Sequence, residues 1–191
     1  MSYLSRVDAQ GLYHVVSRGN NRATIFKDDN DFEKYLLLVQ SYKKKYAFDL
    51  YAYCLMNNHV HLLIETDREG ILSKAMQGLN LSYALWFKVR YNWVGHLWQG
   101  RFKSYIVDKE KYLWACVRYI ALNPVKAGIV SKPEEYRWSS YRFLLERRPT
   151  DLIDWKKLGE RLELNVTVSD VEAYQKQVLY ELISETIPET F

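Results

Sequence analysis

Cysteine, proline, glycine and histidine are all scarce in this chain, and each shortage rules something out. Two cysteines in 191 residues, Cys54 and Cys116, with no CxxC spacing, exclude a disulfide framework and a cysteine-rich metal module. Both read as reduced core residues of a cytoplasmic protein. Four prolines and eight glycines are too few for a fibrous or disordered chain. No apolar run approaches the roughly 20 residues needed to span a bilayer. The first residues, Met-Ser-Tyr-Leu-Ser-Arg-Val-Asp, lack the apolar core of a signal peptide. There is no internal repeat and no low-complexity tract. Histidine occurs only four times, so any clustering of histidines carries information.

Aromatic and basic residues are plentiful. The chain has 16 tyrosines and 6 tryptophans, and 48% of its residues are hydrophobic, enough for a substantial core. Residues 1–150 hold 23 Lys and Arg against 14 Asp and Glu, whereas residues 151–191 hold 4 against 9. A basic body suits a polyanionic partner, and the acidic tail is a candidate occupant of the same surface. Basic residues interleaved with aromatics suit single-stranded nucleic acid, although aromatics also serve as core.

Hydrophobic period places the elements. Leu12 to Ser17 is β-rich and ends at the polar loop Arg18-Gly19-Asn20-Asn21. A helix follows, with Asn30 and Glu33 spaced as a capping box and Phe32, Tyr35, Leu36, Val39, Tyr42 and Tyr46 at helical intervals. Leu50–Met56 and His59–Glu65 flank the turn Asn57-Asn58 as an antiparallel hairpin. A second helix spans about 71–91. A strand lies around Arg101 to Val107, and Asp108 caps a third helix running to about Leu122. The order β-α-β-β-α-β-α is that of an α+β ferredoxin-like sandwich with an antiparallel sheet. The aromatic stretch "EEYRWSSYRFLLE" packs back on this body, with Trp138, Ser139 and Ser140 as structural residues. Ser169 to Glu172 opens a last helix over about 171–184. These readings divide the chain into a catalytic-type domain, 1–148, and an acidic helical extension, 149–191.

The stretch "CLMNNHVHLLIE" holds two of the four histidines. Side chains alternate along a strand, so His59 and His61 share one face while Val60, Leu62 and Ile64 take the other, core-directed one. Two imidazoles on one face are spaced for bidentate metal binding, and two ligands leave positions open for water or substrate. Satisfied core or surface histidines are the other reading, and strand period alone does not choose. His14 and His96 lack such a partner and read as structural.

"MNNHVHLLI" resembles the histidine–hydrophobic–histidine motif of the HUH nucleases. With "YHVVSRGNNRATIF", "GHLWQGRFKS", "RYIALNPVKAGIV" and "YRWSSY" in order, residues 10–145 resemble the REP-associated tyrosine transposases, single-tyrosine relatives of transposases that move insertion sequences as single-stranded DNA. The resemblance implies the HUH nuclease form of the ferredoxin-like fold and a transposase acting on single-stranded DNA hairpins. Its tyrosine attacks a DNA phosphorus, leaving a 3′-hydroxyl and a 5′-phosphotyrosine link, with Mg²⁺ or Mn²⁺ held by His59 and His61. It implies Tyr119 as the nucleophile; Tyr112, one heptad earlier, and Tyr105 are the decoys. Asn123, four residues after Tyr119, corresponds to a polar third ligand, while Pro124 allows it instead to be a helix terminator. Arg18, Asn20, Asn21 and Arg22 correspond to a loop that recognises a short sequence beside a hairpin. Arg101, Lys103 and Arg118 are the candidate phosphate contacts, against the plainer reading of solvated charges. Lys43, Lys44 and Lys45 form the polar face of the first helix. The relatives act as monomers or homodimers. Competing functions are a hairpin-binding protein without turnover and a metallohydrolase that activates water.

Overall fold

A computed structural model describes residues 9–107, 110–142 and 150–161. Its elements are β1 Gly11–Arg18, α1 Asp29–Tyr46, β2 Asp49–Met56, β3 His59–Thr66, α2 Ile71–Tyr91, β4 Lys103–Ile106, α3 Glu110–Lys126 and α4 Trp155–Arg161. The four strands form one antiparallel sheet in the order β2-β3-β1-β4. That is the strand order of an α+β ferredoxin-like sandwich, as the element sequence implied.

The sheet is buried on both faces. Val15, Val60, Leu62 and Ile64 pack against α1 and α2 through Tyr35, Val39, Leu79 and Tyr83. On the other face Leu12, Ala52, Cys54 and Leu63 meet Leu113, Cys116, Val117 and Ile120 of α3. The histidine face is therefore covered by α3 rather than presented to solvent, a correction to the reading of β3 alone. Both cysteines are free thiols within this second cluster.

The capping box of α1 lies two residues earlier than the sequence pattern suggests. Asp28 is the cap and accepts the backbone N–H of Asp31, while Asp31 accepts from the N–H groups of Lys27 and Asp28. Asp31 is fully buried, where the Tyr91 hydroxyl donates to its carboxylate and Arg90 stands 3.5 Å away. Those α2 partners select Asp31, rather than Glu33, for the capping role.

The outer edge of β2 is closed by the chain that follows α3. Leu55 N–H donates to the Trp138 carbonyl, Ser140 N–H to the Tyr53 carbonyl and Leu50 N–H to the Asp154 carboxylate. Backbone groups that would otherwise template another strand are thereby paired. Lys43, read as plain helix surface, bonds to Asp154 at 2.9 Å and to the carbonyls of Asp151 and Leu152. Lys157 pairs with Asp49, and Arg161 with Glu65. The final helix read over about 171–184 and the Asp108 cap lie outside the described residues.

Gly19 closes the tail of β1, where its N–H donates to the Asn58 carbonyl. Its φ of −62° is open to any residue, but a Cβ there would stand 2.4 Å from the Ala23 carbonyl oxygen and 2.8 Å from Ile25 Cγ2. The glycine is required by close approach, not by conformation. Gly19→Ala is expected to cost about 1–3 kcal/mol of stability, the scale of overpacking, measured by urea unfolding; an unchanged midpoint contradicts the packing.

Candidate active site

Strand register assembles the site. In the β1–β3 ladder Val16 lies opposite His61 and Arg18 opposite His59. In the β1–β4 ladder Lys103 lies opposite Val16 and Tyr105 opposite His14. Paired residues point the same way, so His14, Arg18, His59, His61, Lys103 and Tyr105 share one sheet face. α3 crosses that face and sets the Tyr119 ring 5.7 Å from both His14 and His61, edge-on to each. His14, Arg18, His61, Gln99, Arg101, Lys103, Tyr105 and Tyr119 line one cavity of about 380 Å³.

The loop before β4 reaches this cavity because it is bonded to the end of β1. Gln99 N–H donates to the Arg18 carbonyl and Asn20 N–H to the Leu97 carbonyl, both at 2.8 Å. Trp98 Nε1 donates to the Asn80 carbonyl, tying the same loop to α2. Arg101 lines both this cavity and an adjoining one of about 530 Å³ that Asn20, Lys88 and His96 also line. Asn21 and Arg22 are exposed and hold left-handed backbone, with φ of 50° and 58°. For arginine that conformation is strained.

Burial sets the electrostatics. It lowers the pKa of His14 from 6.5 to about 4 and that of His59 to about 4, with Arg18 adding repulsion on His59. His61 is pushed well below its ordinary value by burial first, then by His14, His59 and Arg18. All three imidazoles are neutral near pH 7, the form in which histidine binds a metal. Burial raises the Tyr119 phenol, a neighbouring thiol at Cys116 adds to this, and Arg18 opposes it.

The donor set suits a divalent cation in an open site. His59 Nδ1 and Asn58 Oδ1 are 2.6 Å apart, which leaves the His59 Nε2 available. His61 Nε2 is buried and bonds to no protein atom. The two rings lie 4.9 Å apart at 80°. Among the described residues no three of His, Cys, Asp and Glu converge to hold a metal. Among those residue types the pair offers neighbouring nitrogen donors here, which would leave coordination positions open.

Other sequence candidates fall elsewhere. α3 continues past Pro124 to Lys126, so Asn123 does not terminate it. Its amide Nδ2 donates to the Tyr119 carbonyl at 2.8 Å, and Asn123 does not line the cavity. Arg118 is 6% exposed and also lies away from the cavity, because adjacent helical residues point about 100° apart. Tyr112 is exposed outside it, whereas Tyr105 lines it. Sequence reading missed His14, Gln99 and Lys126. The Lys126 ammonium stands 4.9 Å from the Tyr119 ring centre. It sits seven residues after Tyr119, a spacing that was legible; His14 needed the strand pairing.

Residues 9–123 match the family model described as transposase IS200-like. The chain belongs to that transposase family. Among solved structures this transposase resembles a REP-associated tyrosine transposase bound to a REP hairpin, with a TM-score of 0.63 at 19% identity, covering 81% of this chain and 94% of the other. That likeness bears on the fold, which is the one the strand order gave. A putative transposase from Deinococcus radiodurans R1 aligns with a TM-score of 0.44 at 16% identity, over 59% of this chain and 91% of the other. No curated protein matches. No helix among the described residues of this transposase is long and apolar enough to cross a membrane.

The neutral histidines predict acid sensitivity. Their folded-state values lie below the unfolded value near 6.5, so the unfolded chain binds more protons between about pH 6.5 and 4. In EDTA the unfolding midpoint of this transposase is expected to fall as pH drops through that window, and less steeply for His59→Gln. A flat profile from pH 6.5 to 4.5 contradicts the burial assigned to these rings.

Proposed function

We propose that this transposase nicks single-stranded DNA beside hairpin repeats of the REP type and transfers the strand through a 5′-phosphotyrosine link to Tyr119. The observation that carries the reading is the Tyr119 ring held 5.7 Å from His61 at a cavity rimmed by Arg18, Arg101 and Lys103. Tyr119, His61 of the histidine pair and a cationic rim share that cavity, with the His59 ring 4.9 Å from His61; a nucleophile and groups that stabilise charge are the parts that phosphoryl transfer needs. The hairpin substrate is carried over from the solved relative, which holds a REP hairpin.

In this mechanism the Tyr119 Oη forms a bond to the DNA phosphorus as the bond from phosphorus to the 3′ oxygen breaks. The phenol proton ends on the departing 3′-hydroxyl. Because burial favours the neutral phenol, attack depends on stabilising the charge that develops on the phosphate. His59 and His61 would hold Mg²⁺ or Mn²⁺, which supplies that stabilisation by polarising the scissile phosphate. Arg18, Arg101 and Lys103 bind the flanking phosphates and set the strand's register. Asn20, Asn21 and Arg22 would read bases beside the hairpin, a role supported for Asn20 by its lining of the adjoining cavity. One phosphodiester is exchanged for another, so rejoining needs no external energy source.

Incubation with a hairpin oligonucleotide and Mn²⁺, followed by a denaturing gel, tests this reading. A covalent protein–DNA adduct is expected, lost in Tyr119→Phe and kept in Tyr105→Phe. Binding on native gels without any adduct favours the binding protein, and cleavage that survives Tyr119→Phe favours the hydrolase.

Two further outcomes follow from the division of labour. His59→Ala and His61→Ala should lower cleavage about a hundredfold or more, the scale of losing one preorganised charge-stabilising group, with hairpin affinity in EDTA largely kept. Arg101→Ala should instead weaken binding and reduce the slope of log affinity against log salt by about 1. Equal loss of affinity in the histidine variants, or an unchanged slope in Arg101→Ala, contradicts the assignment.

A further inference from the structure

His14 Nε2 lies 2.9 Å from His61 Nδ1, inside the buried part of the site. The rings are 15° from parallel with centroids 5.1 Å apart. That separation exceeds the nitrogen–nitrogen distance by nearly two ring radii, so the imidazoles meet edge to edge rather than face to face. The contact is an in-plane hydrogen bond, and such a bond requires a proton on one nitrogen and a lone pair on the other.

We infer that His14 is a positioning residue that accepts the Nδ1–H of His61, which fixes the His61 ring and leaves its Nε2 bare to bind a divalent cation. The inference rests on the reading of His59 and His61 as the metal pair. Two arrangements of the shared proton are conceivable. If His14 donated, His61 would carry its own proton on Nε2, where the structure offers no acceptor. A buried N–H left unpaired is destabilising, and it blocks the ligand position. If His61 donates, the unpaired atom is a lone pair, and the cation itself satisfies it.

Asn58 does the same for His59, which supports the assignment independently. The Asn58 Nδ2 donates to the Arg22 carbonyl at 3.4 Å, so its Oδ1 is left to accept from His59 Nδ1 at 2.6 Å. Each histidine of the pair is thus held at Nδ1 by a neighbour and presents Nε2. Metal-binding histidines are commonly fixed this way, by an acceptor on the other nitrogen. The acceptor here is unusual in being another imidazole, supplied by the neighbouring strand two pairs along from the Val16–His61 rung.

Long-range ¹H–¹⁵N correlation spectra of the ¹⁵N-labelled wild-type protein in EDTA report the tautomer directly. His61 protonated on Nδ1 is expected; protonation on Nε2 overturns the proposal, and this measurement needs no variant to fold. Mn²⁺ binding to the full chain without DNA, followed by electron paramagnetic resonance, gives the second readout. His14→Phe should weaken it about 10- to 100-fold, the range for loss of such a supporting partner. His14→Gln, which keeps an acceptor oxygen, should restore most of it, and hairpin affinity in EDTA should be unchanged in both. Mn²⁺ binding that His61→Ala removes but His14→Phe leaves intact overturns the role of His14 alone. Equal weakening by Phe and Gln also overturns it, since the acceptor would then be irrelevant. Mn²⁺ binding that His61→Ala does not alter overturns the metal pair, and the proposal with it.

Discussion

The pairing of β1 with β3 at the centre of the sheet is the constraint on which the rest depends. Its register sets Arg18 opposite His59 and His14 two pairs along from His61, while Val15 and Val60 turn to the α1–α2 side. Side chains alternate with a period of two, so a slip of one residue would send the histidines into the apolar core. It would also turn Val15, Val60, Leu62 and Ile64 toward the cavity. The cost of burying imidazoles among Tyr35, Val39 and Tyr83 makes the register and the site one decision.

The second consequence is electrostatic. Covering the histidine face with α3 dries the imidazoles and keeps them neutral, while the cations stand at the rim on Arg18, Arg101 and Lys103, all exposed. Neutral nitrogens inside and fixed positive charge outside are the electrostatics of a site that attracts a polyanion. The same burial raises the Tyr119 phenol. The tyrosine therefore stays neutral near pH 7.

Much of the fold was legible because the signals were local. The hairpin from Asp49 to Thr66 and the α2 span follow from alternation, the Asn57-Asn58 turn and helical spacing. The start of α1 was displaced by two residues because the choice between Asp31 and Glu33 rests on Arg90 and Tyr91, some sixty residues away. Asn123 illustrates a different limit. Four-residue spacing puts it on the Tyr119 face, and in the fold its amide Nδ2 donates to the Tyr119 carbonyl, a local backbone bond that spacing alone does not announce. Arg118 adjoins Tyr119 in sequence and was grouped with it, yet helical rotation carries it elsewhere.

By itself the sequence determined the strand and helix order, the shared direction of His59 and His61, and, through its ordered motifs, the transposase family. Those properties are set by residue period and by motif, which are written along the chain. Tertiary structure alone decided that His14 joins His61, that Gln99 and Arg101 reach the cavity, and that Arg118 does not. These are contacts between strands, or between a loop and a strand end. The ladder register and α3 packing that create them are properties of the assembled sheet, and no local window of sequence contains them.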